Sequence, residues 1–477
     1  MKQNNIKKLL FKSLLSFGSV QILNQLIQFF LLPLYTNKLS KEDYGNIEFV
    51  LILNTVFALI FSFQIHQSVM RILADITDEV KVKKIISTCF WFVFCSFLFF
   101  TTILAAAHYF LGIHIYFDKK YESLFLIVLA TLFITGLNNY LNSIIIWSMQ
   151  SVKSSLITAL SIVVNIGLTI YFVLYQNYGI KGIIIATFSA QLTILPLFIL
   201  ANYNKLGLYF DFQNLKENLK FSTPLIFSSL AYYSWFFIDR FMINQFLGKD
   251  ELGVFSVAVR FAAPIGLVLG VLESALFPIV LNNYKNNETK KLLSNLLNIV
   301  MFGFGLFFLG IICFSPNFYN LLVNAKFFYG HSLCFILCLG QFFSKIYFFN
   351  PGFAIEKKTT IFLTITVISS IINLGINYFL VPRMGILGAA IATGISAILY
   401  FVLLFIYSNK YYQINFQLKE PIVSFLLLII TYLLVLLSDY KYSIVVFVIV
   451  TALLAFINRN VFINIKKLLS SKILAKN

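Results

Sequence analysis

Charge is what this sequence has least of. Of its 477 residues, 11% are Asp, Glu, Lys or Arg, whereas 60% are hydrophobic. No soluble domain hides that much apolar surface, so the chain reads as an all-α polytopic membrane protein. Cysteine is also scarce. The five present, Cys89, Cys95, Cys313, Cys334 and Cys338, all lie in apolar segments, which suits small packing residues and excludes a disulfide framework. Four histidines sit near segment ends without ligand spacing. There is no P-loop, H-E-x-x-H or G-x-S-x-G, and no inter-helical loop reaches twenty residues. These absences argue against an enzyme, a cofactor and a metal site.

Long apolar runs are abundant. About fourteen are of membrane-spanning length, among them 45–66, 220–244 and 252–280. The basic start, Met1 to Lys8, leads straight into an apolar run, so it is expected to be a retained first span rather than a cleaved signal peptide. The net charge of +18 does not point to nucleic acid, because its distribution is that of a membrane protein. With the N-terminus inside, 24 of the 36 Lys and Arg fall on cytoplasmic stretches and nine on outer ones, placing both termini in the cytoplasm.

The chain repeats itself. Leu39-Ser-Lys-Glu-Asp-Tyr-Gly45 and Leu247-Gly-Lys-Asp-Glu-Leu-Gly253 share the pattern L-x-K-[DE]-[DE]-x-G, 208 positions apart. A second pair, Gly179-Ile-Lys-Gly182 and Gly385-Ile-Leu-Gly388, lies 206 apart, each followed by an Ala-Thr four residues on. The period is six spans. An even number gives two parallel six-helix bundles about a central cleft, 1–201 and 220–407, joined by a cytoplasmic linker 202–219. Residues 408–477 add two helices and a basic tail.

Polar residues inside spans nominate a site. Gln21, Asn24, Gln25 and Gln28 form one stripe at helical spacing, and Thr131, Thr135, Asn138 and Asn142 form another. Intramembrane charges are costly and mark substrate paths. Here they are Asp239, Arg240, Arg260, Glu273 and Lys345. Cations beside amides and hydroxyls suit a large anionic, hydroxyl-rich substrate such as a lipid-linked sugar phosphate. Asp239, Arg240 and Arg260 have no charged counterparts one repeat upstream, which assigns substrate recognition to the second half.

The run from Asp239 to Arg260, with Phe255 at a position often held by Tyr, and the run Gly385–Thr393 resemble the multidrug/oligosaccharidyl-lipid/polysaccharide exporter superfamily. Within it they most resemble the polysaccharide-transporter branch of O-antigen and repeat-unit flippases. The resemblance implies a V-shaped, alternating-access carrier in a bacterial plasma (inner) membrane. It also implies translocation of an undecaprenyl-pyrophosphate-linked oligosaccharide from the cytoplasmic to the outer leaflet, and it assigns cavity cations to Arg260, Arg240 and Lys345. Expected partners are the lipid-linked oligosaccharide and membrane lipid, with a coupling ion (H+ or Na+) and the polymerase and glycosyltransferases of a polysaccharide pathway as further candidates. The alternatives are a cation-coupled multidrug exporter of the same superfamily, and a membrane glycosyltransferase or polymerase. The latter usually carries a large loop or domain that this chain lacks.

Overall fold

The computed structural model describes residue 25, residue 27 and 29–462, apart from 74, 75, 77, 114, 115, 117, 118, 357 and 439. Among the described residues there are helices and turns but no strand. Two compact units are present, Met1–Gly253 and Val254–Asn477.

The first unit contains α1 (Leu32–Lys38), α2 (Lys41–Phe61), α3 (Ile65–Leu73), α4 (Glu79–Leu111), α5 (Phe125–Trp147), α6 (Ser151–Ile170), α7 (Ile180–Asn202) and α8 (Phe212–Leu247). Helix α9 (Lys249–Asn283) starts in it and continues into the second. The second unit adds α10 (Asn287–Leu322), α11 (Cys334–Lys345), the short α12 (Gly352–Ile355), α13 (Thr359–Met384), α14 (Ile386–Tyr411), α15 (Lys419–Leu437) and α16 (Ser443–Ile457). Eleven helices among the described residues are long and apolar enough to cross a membrane. The expected fourteen is compatible with this number. The first run lies mostly outside the described residues, α8 is 36 residues long but more polar, and α16 is apolar but only 15 residues long.

Both repeated motifs have a physical explanation. In the upstream copy Ser40 caps α2, accepting from the Asp43 backbone N–H at 3.0 Å, and Glu42 and Asp43 fill the first turn. Asp250 and Glu251 do the same for α9. Acids there balance the positive end of the helix dipole. The glycines dock the two copies onto each other. A Cβ on Gly45 would lie 1.9 Å from the Lys249 carbonyl oxygen, and one on Gly253 would lie 2.2 Å from that of Lys41. The contact is reciprocal, and only glycine allows it. The second motif is a turn. Gly179 and Gly385 precede α7 and α14 with nearly the same backbone, φ 55° and ψ −129° against φ 62° and ψ −144°. Side chains avoid that region.

One expected span is interrupted. After Gly45 the apolar run 45–66 carries no glycine or proline, yet α2 stops at Phe61 and α3 restarts at Ile65. Phe63 (φ 47°) and Gln64 (φ 52°) both occupy the left-handed region, at ~1–2 kcal/mol each for an L-residue. Tertiary contacts hold them there. Ser96 of α4 donates to the orphaned Phe61 carbonyl at 2.7 Å, and Ile65, Val69 and Leu73 of α3 are buried in one core with Ile86 and Cys89 of α4 and Leu141 and Ile144 of α5. The equivalent stretch of α9, one repeat later, runs on unbroken through Gly270. In the second unit, α15 and α16 pack against α10.

Candidate functional site

The break opens onto a cavity of about 620 Å³ inside the first unit, within the ~300–1,000 Å³ typical of ligand sites. Its polar wall is assembled from six places. Asn54 and Thr55 come from α2, Gln64 from the break, His66 and Gln67 from α3, Thr131, Thr135, Asn139 and Asn142 from α5, and Thr187 and Gln191 from α7. Ser229 and Tyr233 of α8 complete it. None of the described lining residues is Asp, Glu, Lys or Arg.

The amides are oriented by neighbouring side chains, three of them behind the wall. Tyr116 Oη donates to Asn54 Oδ1 at 2.8 Å, and Ser154 Oγ donates to Asn142 Oδ1 at 2.5 Å. Gln67 Nε2 donates to Gln64 Oε1 at 2.8 Å. Asn138 Nδ2 donates to both the backbone and the side-chain oxygen of Gln191 at 2.9 Å. Each bond occupies a carbonyl end and leaves the NH2 end of Asn54, Asn142, Gln64 and Gln191 available to a ligand. The wall is uncharged and rich in donors.

The residues nominated from sequence fall into separate groups. Asn142 lines the cavity, whereas Asn138 is buried one residue away on the same helix and braces Gln191. Gln25 is helical and half-buried; Gln21, Asn24 and Gln28 lie outside the described residues. Asp239 and Arg240 belong to the first unit, with Asp239 only 5% exposed. Arg240 Nη1 lies 3.9 Å from Glu48 Oε2, both side chains being largely buried. The second unit holds Arg260, Glu273 and Lys345. Glu273 Oε1 accepts a 2.9 Å hydrogen bond from Tyr347, Lys345 ends α11, and Arg260 is half-buried on α9. Thirteen residues separate Arg260 from Glu273, which puts them roughly 140° apart around a 3.6-residue helix.

Sequence reasoning missed Glu48, Asn54, Gln64, His66, Gln67, Asn139 and Gln191. A signal existed for some of them: Ser62, Gln64, His66 and Gln67 crowd the end of an apolar run. Glu48 shows no such pattern, because its partner is 192 positions away. The second unit has a cavity of its own, about 340 Å³, walled by Phe308, Phe342, Phe343, Phe401, Phe405 and Phe425. Among its described lining residues the one polar side chain, Ser424, is engaged by Asn458 at 2.7 Å. Chemically it suits hydrocarbon.

The family model for polysaccharide biosynthesis protein matches residues 10–284, more than half of the chain. The chain belongs to that family. A second model, MatE, matches residues 224–379, in line with the exporter superfamily expected from the motifs. Among curated relatives, a probable low-salt glycan biosynthesis flippase, Agl15, of Haloferax volcanii is 26% identical over 222 residues, 44% of this chain and 45% of the relative. A putative O-antigen transporter of Shigella flexneri is 25% identical over 204 residues, 40% of this chain and 47% of the relative. The matched stretch thus spans less than half the length of either. The structure is similar to that of lipid II flippase MurJ in an inward closed conformation, with a TM-score of 0.72, 18% identity and coverage of 94% of this chain and 98% of the other. At that identity the likeness establishes the fold alone, and the helices of spanning length make this a multi-pass membrane protein.

Proposed function

We propose that this family member is a flippase. It moves a lipid-linked (undecaprenyl-pyrophosphate) oligosaccharide repeat unit from the cytoplasmic to the outer leaflet of a bacterial plasma membrane, for surface polysaccharide biosynthesis. The two six-helix bundles, 1–201 and 220–407, alternate access to the substrate, and both termini face the cytoplasm.

The observation that carries this reading is the polar, uncharged cavity walled by membrane-crossing helices. A hydroxyl-rich head group needs such a surface to leave water, since unmatched polar groups cost several kcal/mol in hydrocarbon. The intramembrane cations Arg260 and Lys345 supply charge for the phosphates, and the lipid tail stays in the bilayer. The relatives named as a flippase and a transporter support transport rather than catalysis. Arg260→Ala is expected to abolish surface polysaccharide while the protein stays in the membrane at its normal level. Wild-type polysaccharide in that mutant refutes the assignment.

The MatE match favours a second reading, a cation-coupled drug exporter. Such a cleft calls for carboxylates to hold cationic drugs, and the described cavity wall contains none. Deletion of the gene is therefore expected to leave susceptibility to cationic drugs unchanged; sensitisation supports the exporter.

A further inference from the structure

We infer that the glycan head is an uncharged sugar rich in hydrogen-bond acceptors, hydroxyls and N-acyl carbonyls, and that the amides around the α2–α3 break select it over an acidic sugar. The inference rests on the flippase reading and goes past it by assigning the chemistry of the substrate's sugar.

Three features converge on it. The first is charge. A uronic acid entering this cavity would bring a carboxylate to a wall that, among its described residues, offers no cation. Taking an ion out of water without a counter-charge is among the costliest steps in recognition. Arg240, an intramembrane cation of the same unit, does not line the cavity and already faces Glu48.

The second is orientation. The carbonyl ends of Asn54, Asn142 and Gln191 are occupied from behind the wall, and that of Gln64 by its wall neighbour Gln67. Their NH2 groups remain to donate, which favours acceptors on the ligand. A sugar hydroxyl or an N-acyl carbonyl accepts without bringing charge.

The third is the break itself. Two consecutive non-glycine residues held left-handed are strained, and strain of this kind persists where surrounding contacts impose it and gathers at ligand sites. At this break Gln64 and Gln67 both line the cavity and are hydrogen-bonded to each other. The repeat lacks this device, since α9 is continuous at the equivalent place. Discrimination of the sugar therefore sits in the first unit, apart from the Arg260 and Lys345 cations of the second.

The test is direct binding to the full chain, purified and reconstituted in lipid nanodiscs. Three synthetic polyprenyl diphosphates serve as probes: one without a sugar, one bearing an N-acetylhexosamine and one bearing a hexuronic acid. The N-acetylhexosamine lipid is expected to bind at least tenfold more tightly than the other two, a difference of ~1.4 kcal/mol. Asn139→Lys adds a cation at an exposed lining position and is expected to narrow or reverse the preference against the uronic acid. Equal binding of neutral and acidic lipids by the unaltered protein, or equal binding of the sugar-free diphosphate, overturns the inference and leaves the flippase reading standing. Binding of none of the three overturns the flippase reading itself.

Discussion

Replacing Gly45 with alanine tests the docking of the two repeat motifs. The new Cβ would start 1.9 Å from the Lys249 carbonyl oxygen and 2.8 Å from its carbon. A carbon approaches a carbonyl oxygen no closer than ~3.3 Å even in a weak C–H···O contact, so the two helix starts must part by roughly 1.4 Å. The obstacle is backbone, and no rotamer change relieves it. Gly253→Ala meets the same obstacle from the other side, 2.2 Å from the Lys41 oxygen. Overpacking of this kind costs ~1–3 kcal/mol, which predicts a clearly lower unfolding temperature for either variant in detergent. Both variants break one contact, so the double variant should lose less than the sum of the two. Gly270→Ala is the control on the same helix as Gly253: nothing lies within 4 Å of its Cβ, and its unfolding temperature should not fall. If Gly45→Ala unfolds with Gly270→Ala, the glycine docking argument is wrong.

Further outcomes follow from the same structure. Gly179→Ala and Gly385→Ala each place a side chain at positive φ with nothing nearby to clash, so each should cost ~1–3 kcal/mol through backbone strain alone, read as a lower unfolding temperature. Glu48→Ala leaves the mostly buried Arg240 without this carboxylate and should lower stability, whereas Glu48→Ala with Arg240→Met should recover part of the loss in a double-mutant cycle. Tyr347→Phe removes the hydrogen bond to Glu273 and should cost ~1–3 kcal/mol. Adding Glu273→Leu to that variant should cost less than it does in the wild type.

Much of the fold was legible because the bilayer simplifies the problem. A span must satisfy its own backbone over ~30 Å, so apolar runs of the right length become helices with little help from their neighbours. Helix ends were less legible. The 220–244 run lengthened to Phe212–Leu247 and the 252–280 run to Lys249–Asn283, because polar flanking turns continue a helix once it has left hydrocarbon. The site was legible only in part. Thr131, Thr135 and Asn142 announced a cavity-facing stripe on α5, since one helix face can be read at 3.6-residue spacing. The opposing wall, from Gln64 to Gln67, lay at the end of an apolar run with no glycine or proline to mark a turn.

By itself, then, the sequence determined that this chain is a bundle of membrane helices, that the L-x-K-[DE]-[DE]-x-G and Gly179/Gly385 motifs recur 208 and 206 positions apart, and that charge within the spans is rare enough to matter. Each follows from local chemistry or from periodicity along one helix. Tertiary structure alone decided that Gly45 and Gly253 meet face to face, that Glu48 faces Arg240, and that α2 breaks at Phe63 and Gln64 to open an uncharged cavity. Those outcomes depend on groups brought together from 192 or more positions apart, or on a strained backbone that the packing around it maintains against its own preference.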